Sequence, residues 1–203
     1  ALPFQGRRGV SEAVTRAVDW IDAVEAATPP APGPLEDYGV WRYALRLRLH
    51  AALLRAGAGE PRALRERIKA CVFELERRQR PGGGWSYTLR EGGERGAAPI
   101  DESLSFVTAT VVLALLEARA AGVEVHDVLI ERGLNVLEAL RDATGGFAYR
   151  ARRRGIDPRP AAPLAEAAGR GPLCALALVR GGREDLRALK RRVDVLLAHR
   201  SGR

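Results

Sequence analysis

The sequence predicts an all-α protein: a partial α/α arrangement of about seven helices in alternating inner and outer layers. Three observations predict it. Apolar residues recur with a period near 3.6, and no segment alternates convincingly as a strand should. Helices with one apolar stripe alternate with helices that are apolar over a wider arc, as expected when every second helix is covered on more than one side. Finally, a glycine-aromatic turn recurs along the chain, which is the mark of a repeat architecture.

The elements follow in order. Val14, Ala17, Val18 and Ile21 stripe a first helix beginning near a Ser11 cap. Trp41 to Ala56 reads as a buried helix. Leu64, Ile68, Cys71, Val72 and Leu75 stripe the next, opened by Pro61 where a missing N–H costs little. Ser103 to Ala121 is again broadly apolar, Ile130, Gly133, Leu134 and Leu137 stripe its successor, and Pro172 to Arg180 is the third buried helix. Leu186, Leu189, Val193, Leu196 and Leu197 stripe the last. Gly57, Gly122 and Gly181 follow the three buried helices, where glycine takes a left-handed C-cap most easily. Segments 28–40, 80–100 and 142–171, rich in Gly and Pro, join the pairs. Residues 1–203 are therefore read as one domain, with 1–9 as an N-terminal arm and 150–163 as a basic Pro/Arg-rich loop.

Composition narrows the function. With 46% hydrophobic residues, 203 residues can build a core without metal or disulfides. No apolar run approaches the roughly 20 residues of a membrane-spanning helix. The net charge of +8 is local: residues 150–203 carry a net +9 and the remainder a net −1. "YRARRRGIDPRP" is its densest part, and Arg150, Arg152, Arg153 and Arg154 are candidates to meet an acidic partner. No nucleic-acid-binding motif accompanies this charge, so nucleic acid is disfavoured. Cys71 and Cys174 form no C-x-x-C and fall on apolar helix faces, which reads as two buried thiols. The chain contains no Met; Ala1 would follow initiator removal, signal-peptide cleavage or trimming, and the reading leans to signal removal and an extracytoplasmic location with a cytoplasmic one left open.

The recurring turn is "ERRQRPGGGWSYTL", with Gln79, Gly83 and Trp85 at the spacing Q-x-x-x-G-x-W and Tyr87 two residues on. "RDATGGFAY" places Arg141, Gly145 and Phe147 at the same spacing, again with a tyrosine, Tyr149, two residues later. "LEDYGVW" keeps only Gly39 and Trp41. This pattern resembles the QW motif of the squalene-cyclase and prenyltransferase repeat, and Asp101 to Tyr149 resembles one whole repeat of that family. "AAGRGPLCALALVRGG" is similar to stretches that follow such repeats in bacterial relatives. The resemblance implies an α/α toroid, of which about seven helices, against the roughly twelve of a closed ring, would form an open arc. Within it, glycines let the chain reverse, the aromatic folds back over the helix end, and Gln79 bonds backbone groups of the adjacent repeat. Trp85 and Tyr87 are accordingly read as structural clamps.

The catalytic signatures that the resemblance would bring are missing. There is no acidic D-x-D-D motif, no Asp, Cys and His set of zinc ligands around His50, His126 or His199, and no C-G-E-Q thioester stretch. No G-x-S-x-G elbow or P-loop occurs either. No metal or cofactor is expected. The reading is a non-catalytic binding or assembly module that docks onto a protein partner or a copy of itself. Trp41, Tyr43, Phe106 and Arg170, near the starts of the buried helices, would line its concave face and could hold a peptide or an apolar small molecule. The alternative is an isoprenoid-processing enzyme with Asp101 or Glu102 as the acid, although carboxylates at a helix start ordinarily serve as caps. A glycan-processing barrel, which needs two carboxylates facing across a cleft, ranks last.

Overall fold

The computed structural model describes residues 12–13, 16–18, 20–21, 23–24, 39–87, 102–142, 146–152, 155–156 and 169–201. Among these the chain is all-α in character. Helical residues within 12–24 precede α1 (Gly39–Ala56), α2 (Pro61–Arg77), α3 (Ser105–Ala120), α4 (Asp127–Ala139), α5 (Arg170–Arg180) and α6 (Leu186–Ser201). No helix is long and apolar enough to cross a membrane among the described residues.

Neighbour relations explain the two kinds of helix. α1 packs on α2 and α3; α3 packs on α1, α4 and α5; α5 packs on α4 and α6. Enclosed in this way, α3 buries most of its length, from Ser105 through Ala118. Its polar residues are satisfied internally: Thr110 Oγ1 donates to the Phe106 carbonyl at 2.8 Å, and Thr108 Oγ1 accepts from the Trp85 backbone N–H at 3.0 Å. α2, by contrast, buries only Leu64, Ile68, Cys71, Val72 and Leu75, the predicted stripe. Glu60 caps it: the backbone N–H groups of Ala63 and Arg62 donate to its carboxylate and hold its pKa below the usual value. Arg48 on α1 and Glu117 on α3 form a bidentate pair at 3.1 Å that ties these helices together.

Four expectations are corrected. First, three short strands, β1 (Glu102–Leu104), β2 (Arg150–Arg152) and β3 (Gly155–Ile156), form an antiparallel sheet where the sequence suggested a helix start at Ser103 and a loop from 150. They are too short for alternation to show. Their placement comes from backbone pairing, Glu102 opposite Arg152 and Leu104 opposite Arg150. Second, no side chain caps α3. The Leu104 N–H donates to the Trp85 carbonyl at 2.8 Å and the Ser105 N–H to the Tyr149 carbonyl at 3.0 Å, so the two repeat turns do the work of a cap. Third, the left-handed glycine after α5 is Gly182, at φ 74°, and not Gly181. Gly181 answers a different need, since a Cβ there would lie 2.6 Å from Leu134 Cδ2. Fourth, the stripe on α6 is only partly covered: Leu189, Val193 and Leu196 are half-buried, while Leu186 and Leu197 are exposed.

Cys71 and Cys174 are both buried thiols. Burial pushes the Cys174 pKa up to about 12, against the lowering effects of a hydrogen bond with Ser105 and of the Arg170 and Arg192 charges. A thiol whose pKa rises on folding stabilises the fold below its unfolded pKa and loses that contribution as pH rises toward the folded value. Stability should therefore fall between about pH 9 and 12. Denaturant titrations across that range should show a smaller alkaline loss in Cys174→Ala than in the parent.

Candidate functional site

The first turn is built as a joint. Arg80 N–H donates to the Gly84 carbonyl at 2.8 Å and Gly83 N–H to the Arg80 carbonyl at 2.8 Å, closing the reversal; Gly83 sits at φ 103°. Gln79 Nε2 donates to the Gly83 carbonyl at 2.8 Å and to the Leu129 carbonyl of α4 at 2.9 Å. Arg132 of α4 donates back to the Pro81 carbonyl at 2.6 Å. Trp85 is 0% exposed, and its Nε1–H donates to the Leu75 carbonyl at the end of α2, at 2.7 Å. Removing the Gln79 amide leaves two carbonyls without that donor, so Gln79→Ala should cost about 1–2 kcal/mol in equilibrium unfolding.

The second turn repeats the closure with different chemistry. Asp142 N–H donates to the Gly146 carbonyl at 3.0 Å, the counterpart of the Arg80 bond, and Arg141 pairs as a bridge with Phe147. Arg141 stands where Gln79 stood, and it forms an ion pair with Glu184, which also accepts from Arg192 at 2.7 Å. The Arg192 guanidinium lies 5.2 Å from the Phe147 ring centre. Gly145 lies outside the described residues.

The two turns and two helix starts bring four rings together. Phe106, in the first turn of α3, lies 5.8 Å from Trp41 of α1, 5.7 Å from Tyr87 and 5.6 Å from Tyr149. The Tyr87 and Tyr149 hydroxyls are 3.0 Å apart and share a hydrogen bond. All four rings are half-buried. Two guanidinium groups border the Tyr149 ring, Arg150 at 5.4 Å and Arg170 at 5.6 Å from its centre. Arg150 donates to Glu102 at 2.8 Å across the β1–β2 pair. Arg170, the first residue of α5, donates from Nε to the Phe147 carbonyl at 3.2 Å.

Trp41, Phe106 and Arg170 are thus gathered at one end of the molecule, and Tyr87 and Tyr149, read from the sequence as turn residues, belong to the same group. Their signal in the sequence was position: each follows its repeat aromatic by two residues. Tyr43 lies apart, two residues from Trp41 on the same helix and so on another side of it. Its ring is bordered by Arg42 at 4.9 Å and Arg78 at 4.6 Å. Arg152 contributes its backbone to β2; Arg153, Arg154, Asp101 and the arm at 1–9 lie outside the described residues. Glu102, the other candidate acid or helix cap, has its carboxylate engaged by Arg150. No group of three or more His, Cys, Asp or Glu residues that could hold a metal occurs among the described residues.

No protein-family model matches the chain, and no curated protein matches it. Among solved structures the chain is similar to Salmonella alpha-2-macroglobulin reacted with methylamine, at 18% identity and a TM-score of 0.48 over 83% of this chain and 11% of that one. It is also similar to native Escherichia coli alpha-2-macroglobulin spanning domain MG7 to the C-terminus, at 21% identity and a TM-score of 0.46 over 83% of this chain and 26% of that one. The chain therefore spans between 11% and 26% of the length of these neighbours.

Proposed function

We propose that this chain is a helical-repeat binding module, an open arc of the α/α-toroid kind that docks a protein partner at the end where its buried helices start. The observation that carries the proposal is the cluster of Trp41, Tyr87, Phe106 and Tyr149 beside Arg150 and Arg170. Aromatic and arginine side chains are the residue types that carry most of the energy at protein interfaces. The order of packing, α1 on α3 on α5 with each joined to its following helix, supports the repeat reading. So does the joint made by Gln79 with α4.

Co-isolation tests it. The full chain, tagged and expressed in its native cells, should purify with one stoichiometric protein partner. The double variant Trp41→Ala/Phe106→Ala, checked for a cooperative melt, should lose that partner. Retention of the partner by a folded double variant would contradict the proposal, as would a lone monomer purifying with a bound isoprenoid.

A further inference from the structure

The two guanidinium groups beside Tyr149 differ in how they are neutralised. Arg150 is held by the Glu102 carboxylate at 2.8 Å. Arg170 uses its Nε on a neutral carbonyl, Phe147 O, and has no carboxylate partner among the described residues. Among the described residues, the two guanidinium groups bordering this ring have one carboxylate ion-paired to them, that of Glu102, and it is on Arg150 and not on Arg170. Its planar Nη pair is suited to a carboxylate, which guanidinium binds in a two-pronged geometry.

Resting on the binding-module reading, we infer that this site recognises the terminal carboxylate of a peptide whose last residue is aromatic or large and apolar. Arg170 would take the carboxylate, and Trp41, Phe106, Tyr87 and Tyr149 the side chain. Spacing selects this ligand over an acidic side chain. The Arg170 charge is 5.6 Å from the Tyr149 ring centre, and the rings follow one another at 5.6 to 5.8 Å. A C-terminal residue carries its charge and its apolar side chain on one Cα, which suits such a separation. In an extended peptide, an acidic residue and a neighbouring aromatic point to opposite faces.

The Glu102–Arg150 pair makes the inference distinctive. Glu102→Gln takes one negative charge from beside the same ring, so neutralising this carboxylate should strengthen binding of an anionic peptide end rather than abolish it. An enzyme using Glu102 as its acid would lose activity instead.

The test is calorimetric titration of the full chain with three probes: N-acetyl-Phe-Phe as the free acid, the same peptide as its C-terminal amide, and N-acetyl-Glu-Phe-amide. The free acid should bind at least about tenfold more tightly than either amide, the value of one charge-assisted hydrogen-bonded pair. Arg170→Gln, melting like the parent, should bring acid and amide to equal affinity, whereas Glu102→Gln should raise affinity for the acid alone. Equal binding of acid and amide by the parent chain would overturn the inference. So would equal binding of the acid and the glutamyl amide, an unchanged preference in Arg170→Gln, or no heat with any probe. None of these results bears on co-isolation of a partner and its loss in Trp41→Ala/Phe106→Ala, so this inference can fail while the binding-module reading stands.

Discussion

Trp85→Ala should lower the unfolding free energy by about 3–5 kcal/mol, the largest single-residue effect expected in this molecule. The indole is fully enclosed, so its deletion leaves a cavity that the surrounding helices fill only in part. It also takes away the 2.7 Å donor to the Leu75 carbonyl, which keeps the longer bond from Arg78 N–H at 3.2 Å. Because the ring reaches from the end of α2 to Gly133 on α4, the loss loosens both helices at once, while the bond from the Trp85 backbone N–H to Thr108 on α3 is kept. Trp85→Phe keeps most of the apolar volume and removes the indole donor, so its cost should be smaller and due mainly to the hydrogen bond. Urea titration followed by far-ultraviolet circular dichroism measures both; a Trp85→Ala protein within about 1 kcal/mol of the parent would mean that the turn is peripheral to the core.

Gly133→Ala should be destabilising by about 1–3 kcal/mol, the usual cost of overpacking, although alanine is the better helix former by about 1 kcal/mol. Propensity and packing oppose each other here, and the distances decide. A Cβ at 133 would stand 2.6 Å from Val112 Cγ2 and 2.9 Å from Trp85 Cζ3, both in the tight contact between α4 and its neighbours. The glycine in the middle of α4 is therefore the receptor for the repeat aromatic. Val112→Ala should cost less in the Gly133→Ala background than in the parent, because it removes the clashing methyl, and a double-mutant cycle reads that coupling directly. Additive effects of the two substitutions would show that the clash relaxes elsewhere.

These two residues also show how far the sequence could be read. Q-x-x-x-G-x-W marked the reversal and the aromatic, but nothing near Trp85 pointed to Gly133, 48 residues away; that pairing comes from helix packing. The periodic stripes of α2 and α4 were legible because each faces its core on one side. α6 was overread, since periodicity reports amphipathicity and not whether a neighbour exists to cover it. The small sheet escaped because three residues are too few for alternation, and β1 is held by β2 across the long separation from Glu102–Leu104 to Arg150–Arg152. Trp41, Phe106 and Arg170 were legible as residues near helix starts. Tyr43 was drawn in by its nearness in sequence to Trp41, although helix geometry turns it elsewhere. Tyr87 and Tyr149 were legible as repeat partners, but their shared hydroxyl contact is a product of two turns meeting at Phe106.

On the proposed reading, a partner protein sits at the end bearing Trp41 and Phe106. Photo-crosslinking reads it most directly: p-benzoylphenylalanine at position 41 in the full chain, expressed and irradiated in its native cells, with position 73 on α2 as the comparison because Phe73 is an exposed aromatic away from the cluster. One dominant protein adduct is expected from position 41 and none from position 73. An adduct from 73 with none from 41 would place the interface elsewhere and contradict that reading.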